Sequence, residues 1–337
     1  MFIRVWRSDE TRPDSVIVPW SGHERAPQSG YRGTADAVYR NLELVEDFGR
    51  RLVLVLAGDH VYKMDYRPML EWHCKRGAAV TIGCVDVPIE EAHEFGVMSI
   101  DARGRIDRFI EKPKTRAELP DVGASRVLAS MGIYVFDTDL LARALRLYAL
   151  AVGSRHDFGA DVLPRLIRHA DAFAYPFRQA HGQPAYWRDI GTIGAYWRAH
   201  MELTDASPRM LLDDRDWPLP AIGGAPETIA RRSDAGRQTV ESSLVAADCA
   251  IGGTVQRSVL FRGVEVQAGA EVQDAVVLPG AVIGRGSRLR GVIVDSGYRV
   301  PDDTVIDRSE QGTLPIERVQ PAVLVRHDDR DGEREAA

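Results

Sequence analysis

Toward the C-terminal end, aliphatic side chains return about every sixth position: Val266 to Val272, Ile283 to Leu289, and Val294 to Val300 to Ile306. A six-residue step matches neither the 3.6 period of a helix nor the two-residue alternation of an ordinary strand. It matches a left-handed parallel β-helix, in which each flat face takes one short strand and one corner. Glycines at 269, 280, 284, 286, 291 and 297 suit the corners, because glycine reaches positive φ without steric cost. Alternating valines and glycines would also fit a β-sandwich, and the pattern alone leaves that alternative open.

Upstream the pattern is different. From Arg51 to about Asp205, short β-branched runs alternate with helical periodicity, which predicts an α/β domain with a mostly parallel sheet. The strands are RLVLVLAG, AAVTIGCVDV, GVMSID, RIDRFIEK, ASMGIYVF, AFAYPF and AYWRDI. Thr34, Asp65 and Thr192 open the helices TADAVYRNLELVEDF, DYRPMLEWHCKR and TIGAYWRAHMEL, and Gly49 and Gly77 close two helical stretches. After Thr204 the periodicity stops at the Pro-rich SPRMLLDDRDWPLPAIGGAPET. The expected organisation is an α/β domain over 1–205, a linker over 206–239, a β-helix over 240–310 and a charged tail over 311–337.

Length and charge narrow the function. A chain of 337 residues suits two domains at roughly 100–200 residues each. Forty-three basic against forty-nine acidic side chains leave a net charge of −6, which offers no basic excess for a nucleic-acid backbone. Cys74, Cys84 and Cys249 are far apart and form no disulfide or zinc pattern. No apolar run approaches the ~20 residues of a membrane span, and the Arg-rich start lacks the apolar core of a signal peptide. The expectation is a cytoplasmic protein with no nucleic-acid or membrane partner.

Asp59 follows LVLVLAG directly, at the carboxyl end of a strand, the edge where open α/β sheets bind ligands. Asp189 ends a second strand. Each could simply cap a turn, but two such carboxylates could also share a magnesium ion, which takes one or two carboxylates plus substrate phosphates. Gly33 and Thr34 open a helix, where backbone N–H groups can meet a nucleobase edge or an anion. Lys112 could hold a phosphate as a point charge or be a solvated surface lysine. Ser130 and Gly132 offer a hydroxyl and a close backbone approach, or are plain strand residues. The histidines at 60, 73, 93, 156 and 181 show no metal-ligand spacing, and no Ser or Cys sits in a nucleophile elbow. Covalent catalysis therefore finds no support.

Taken together, YRGTADAVYRNL, LAGDHVYKMDY, PIEEAHEFGVMSID, FIEKP, LASMGIYVFD, HDFGADVLP and YWRDIGTIGAYW resemble the bacterial glucose-1-phosphate adenylyltransferases, in the family's order and ahead of a β-helix. The resemblance implies a Rossmann-like nucleotidyltransferase domain and a left-handed β-helix. It implies that Tyr31, Gly96, Glu111, Lys112 and Ser130 contact glucose 1-phosphate, and that Gly33, Thr34 and Ala35 meet adenine. It also implies that Asp59 and Asp189 hold a catalytic Mg2+, with Lys112 counted among the catalytic groups. The implied partners are ATP and glucose 1-phosphate, in an allosteric homotetramer of glycogen biosynthesis.

The sequence also departs from the family pattern. It lacks the initial strand, the GGxGxRL loop and the lysine-bearing PA-K-P-like segment that follows; Gly30 stands where the family has Trp, and PWSGHERA where it has a Gln-containing segment. The expectation is an N-terminally incomplete sheet, through truncation or in a short non-catalytic regulatory or vestigial subunit. A sheet without its first strand exposes an unpaired edge, which favours truncation. Transfer to another sugar 1-phosphate, or from another nucleotide, is a further alternative. A hexapeptide acyltransferase finds no support, because no histidine occurs from Ser207 to Ile306. Arg285, Arg288 and Arg290 could meet a phosphorylated effector or be a solvated corner of the β-helix.

Overall fold

The structure is a computed structural model that describes residues 30–47, 49–119, 125–178, 182, 184–205, 229–231, 240–308 and 320–325. It divides into two compact units, one of residues 1–58 with 63–187 and one of 59–62 with 188–337. Among the described residues no helix is long and apolar enough to cross a membrane.

The first unit is an α/β sheet. Its strands are β1 (Leu52–Leu56), β3 (Val80–Pro88), β4 (Gly96–Ile100), β5 (Ile106–Glu111), β6 (Arg126–Asp137) and β7 (Ala172–Pro176), in the order β5-β4-β6-β3-β7 with β1 also on β6. The short β2 (His60–Tyr62) and β8 (Trp187–Asp189) pair with each other and, apart from Trp187, fall in the second unit. The expected mostly parallel pairing is not what forms. Among the described strands of this sheet only β3 and β7 pair in parallel, and the other ladders are antiparallel. The physical reason is β6: it is the longest strand and lies beside β1, β3 and β4, all of which run against it. Those three and β7 still share one direction, so alternation of strand and helix had reported strand direction but not strand neighbours.

Helices α1 (Thr34–Tyr39), α2 (Leu42–Asp47), α3 (Arg67–Arg76), α4 (Thr138–Ala149) and α5 (Leu163–His169) also belong to this unit. Leu141, Ala142, Ala144 and Leu145 of α4 and Leu163, Leu166 and Ile167 of α5 enter one core with Val80, Ile82 and Phe136. The single helix expected from Thr34 is broken at Asn41. This buried side chain donates to Ala37 O at 2.8 Å and to the Tyr31 hydroxyl at 3.2 Å, a local competition with helical hydrogen bonding. Gly77 ends α3 at φ 59, as expected.

The second unit contains α6 (Ile193–Leu203) and a β-solenoid of three parallel sheets. Thr192 caps α6 by accepting from Ala195 N–H at 3.1 Å. From Thr254 to Asp307 each solenoid strand pairs with the one 17 residues on, Val255 with Val272, Val272 with Leu289 and Leu289 with Ile306, while the first coil is two residues shorter, Val240 pairing with Val255. The coil therefore takes two six-residue sides and one of five: Val266, Val272, Val277 and then Ile283 all point into the core. The short side carries aliphatic doublets, Leu244-Val245, Val259-Leu260, Val276-Val277 and Ile293-Val294. One member of each doublet lines the interior, and the other packs outward with Trp197 and Met201 of α6. Two apolar residues in succession mark a strand buried on both faces. Through this packing α6, which lies within the span read as the α/β domain, falls in the same compact unit as the solenoid. Ile229–Arg231 and Ala322–Leu324, within the spans read as linker and tail, add strands to the same face. The rest of those two spans lies outside the described residues, apart from residues 320, 321 and 325 flanking the second strand.

Candidate active site

In the second unit, Asp59 and Asp189 converge. Asp59 precedes β2, Asp189 ends β8, and Ile190 N–H donates to Asp59 O at 2.9 Å, tying the two strand ends together. His60 lies with them: its Nε2 is 3.5 Å from Asp59 Oδ1 and 3.5 Å from Asp189 Oδ2. One ligand atom from each of the three residues falls within 4.8 Å of the others. The sequence had shown no metal-ligand spacing for His60, and only pairing of two distant strands supplies it. Gly191 N–H donates to Asp189 Oδ1 at 2.7 Å; a Cβ on Gly191 would stand 3.0 Å from that oxygen and 3.5 Å from Asp59 Oδ2. Glycine thus leaves the space in front of the carboxylates open. The donor set fits a hard divalent cation through its two carboxylates, while the imidazole nitrogen suits hydrogen bonding to them better than ligation of magnesium.

In the first unit, Gly96 of β4 pairs with Glu111 of β5, and Ser130 of β6 stands one residue beyond the Val97–Ala129 pair. The three lie abreast on neighbouring strands. The Glu111 carboxylate is seated between two glycines: a Cβ on Gly96 would come 2.7 Å from Oε2, and one on Gly159 would come 2.6 Å from Cδ. Burial pushes the Glu111 carboxyl above the usual carboxylate range, and the Asp157 charge adds to this while Lys112 opposes it. Lys112 follows at φ 47, with its backbone N–H donating to Phe95 O at 3.0 Å. Ser130 Oγ lies 3.4 Å from the Tyr134 hydroxyl and accepts from Gly132 N–H at 3.3 Å. Gly132 has φ 67, opposite a register slip between Ile82 and Cys84, so Ser130 sits at a bulge in the longest strand. Burial raises the Tyr134 hydroxyl pKa, and the Glu111 and Asp157 charges add to it against the Ser130 hydrogen bond.

The segment Gly33–Ala35 is docked onto the chain around His156. Ala35 N–H and Asp36 N–H donate to His156 O at 2.9 and 3.2 Å. The Ala35 amide, within the segment implied to meet adenine, is therefore already engaged within the protein. A Cβ on Gly33 would lie 2.8 Å from Arg155 O, so glycine is required for close approach of two backbones. Asp36, buried behind this turn, accepts from Arg32 N–H at 3.0 Å and from Arg40 Nε at 2.9 Å. Burial alone would raise its carboxyl, but these donors hold it below the usual range. Tyr31 is engaged through its hydroxyl by Asn41. Asp157 and Gly159 had no role in the sequence reading beyond the motif HDFGADVLP; what marks them is close contact with Thr34 and Glu111, respectively.

Of the basic triplet, Arg288 lies 3.8 Å from Glu271 and Arg290 3.6 Å from Asp274. Both are partnered on the solenoid itself, which favours the solvated-corner reading.

Residues 20–206 match the family model described as Nucleotidyl transferase, and residues 225–312 match that of the GlmU-like, C-terminal hexapeptide. Over 284 residues the chain is 44% identical to the glucose-1-phosphate adenylyltransferase of Rhodopseudomonas palustris, covering 82% of this chain and 67% of that protein. It is 45% identical over 287 residues to glucose-1-phosphate adenylyltransferase 2 of Alkalilimnicola ehrlichii, with 84% and 68% covered. Against the protein of that name from Gemmatimonas aurantiaca, the values are 43% over 306 residues, with 85% and 73% covered.

Proposed function

The chain belongs to the glucose-1-phosphate adenylyltransferase family of nucleotidyl transferases, and from that membership we propose that it forms ADP-glucose and pyrophosphate from ATP and glucose 1-phosphate. The observation that carries the reading is the convergence of Asp59 and Asp189 from opposite ends of the α/β sequence, with His60 beside them and Gly191 leaving access.

The reaction is an in-line attack by a sugar-phosphate oxygen on the α-phosphorus of ATP. It needs no protein nucleophile, only positioning and charge neutralisation. Asp59 and Asp189 are the residues that would hold magnesium, which when bound supplies neutralisation of phosphate charge. Glu111 accepts hydrogen bonds from sugar hydroxyls, in a seat kept open by Gly96 and Gly159. Ser130 and Tyr31 contribute hydroxyls to the same substrate, and Lys112 meets its phosphate as a point charge. Gly33 and Thr34, with Ala35, border the adenine. The free thiols of Cys74, Cys84 and Cys249 agree with a cytoplasmic setting in glycogen synthesis, and family membership supports an allosteric homotetramer.

Pyrophosphate release is the direct test, measured on the full chain with ATP, UTP, dTTP or GTP and a panel of sugar 1-phosphates in the presence of magnesium. The expected result is turnover that depends on ATP and glucose 1-phosphate together. A clear preference for UTP or dTTP removes the adenylyl assignment, and no release with any pair removes the enzyme assignment.

A further inference from the structure

We infer that the Thr34 hydroxyl acts on the sugar-phosphate half of the reaction rather than on the nucleotide, as a positioning residue that pins the turn 156–159 beneath Glu111. The inference rests on the functional reading above and reassigns one of its residues.

The geometry runs through one short path. Thr34 O–H donates to Asp157 Oδ2 at 2.9 Å, and Phe158 N–H donates to Thr34 Oγ1 at 3.0 Å. A hydroxyl has one proton and two lone pairs, and here the proton and one lone pair are committed within the protein. The other Asp157 oxygen, Oδ1, accepts from Ala160 N–H at 2.9 Å and starts the π-helical turn Phe158–Val162. Asp157 is thus gripped from both sides, by a residue 123 positions away in sequence and by its own turn. The next residue but one is Gly159, whose bare Cα lies against the Glu111 carboxylate. The Phe158 ring packs on Tyr134 with centroids 5.7 Å apart, and Tyr134 in turn faces Ser130. Displacing the turn therefore moves the floor of the Glu111 seat and one wall of Ser130 together. The docking itself survives loss of the hydroxyl, because Ala35 N–H and Asp36 N–H still reach His156 O. What is lost is the orientation of Asp157 and Phe158.

The test separates the two substrates. Affinities for glucose 1-phosphate and for ATP with magnesium are measured by calorimetry on the full chain, alongside KM for each and kcat. In Thr34→Val, Kd and KM for glucose 1-phosphate are expected to rise about three- to tenfold, the size of one or two lost hydrogen bonds at an exposed hydroxyl. The ATP values stay within about twofold, the change sits in KM more than in kcat, and Thr34→Ser restores the wild-type values. Thr34→Ala carries the same comparison if the valine variant does not fold. ATP binding weakened as much as sugar-phosphate binding overturns the inference, as does glucose 1-phosphate affinity unchanged by loss of the hydroxyl. Gly159→Ala with unchanged glucose 1-phosphate affinity also overturns it, since the path ends at that glycine. Wild-type protein that binds no glucose 1-phosphate overturns the functional reading as well, which distinguishes the two failures.

Discussion

At the scale of single residues, two carboxyls, the buried Asp36 and the half-buried Glu111, respond to pH in opposite senses. Asp36 is held ionised by Arg32 and Arg40, below the usual carboxylate range. Its contribution to stability is present above the unfolded-state value near 3.8 and is lost as pH falls through the lower folded value. Asp36→Asn should lower stability at pH 7 by about 1 kcal/mol, discounted because both arginines remain partly solvated, and the gap to wild type should close in acid. Glu111 has the opposite sign, since burial raises it. Its folded form favours the proton, so its contribution is present in acid and lost as pH rises through the folded value. Glu111→Gln should therefore melt higher than wild type at pH 7 and converge with it on acidification, while losing roughly 30-fold in kcat/KM, about 2 kcal/mol for a charged hydrogen-bond partner. Thermal melts across the acid range check both. Equal melting at pH 7 would show that burial of the Glu111 carboxylate costs nothing.

At the scale of elements, the solenoid depends on how closely its coils stack. A Cβ on Gly284 would meet Val300 O, the Pro301 carbonyl carbon and Asp302 N of the next coil, each at 2.6 Å. These are backbone atoms and cannot rotate away, so the glycine is required by approach distance and not by a left-handed φ. Gly284→Ala should cost about 1–3 kcal/mol, read as a lower urea midpoint at constant slope. A midpoint equal to wild type would mean that the coils can separate locally at little cost. The 17-residue coil also explains how much of this element was readable. The six-residue steps from Val266 to Val272 and from Ile283 to Leu289 stand out in the sequence, whereas the five-residue step through Val277 and Val294 is hidden by doublets whose outer members serve α6.

At the scale of the whole molecule, the metal role proposed for Asp59 and the sugar role proposed for Glu111 should fail differently when altered. Asp59→Asn keeps the shape and removes the charge. It should leave the melting temperature nearly unchanged, lower kcat on the order of a thousandfold, and weaken manganese binding measured by calorimetry or by the spin resonance of the free ion. Glu111→Gln should instead weaken glucose 1-phosphate and leave manganese binding as it was. Full metal affinity in Asp59→Asn would move the metal role to other residues. By itself the sequence determined what depends on neighbours along the chain: which runs become strands or helices, the Thr192 cap, the Gly77 stop, and the stacking residues of the solenoid. Periodicity and capping act over a few residues, so they are legible locally. Only the tertiary structure decided that β6 runs antiparallel among its neighbours, that His60 joins Asp59 and Asp189, and that Thr34 grips Asp157. Those contacts join residues distant along the chain, more than a hundred positions for His60 with Asp189 and Thr34 with Asp157, and they are selected by packing, about which no short pattern carries information.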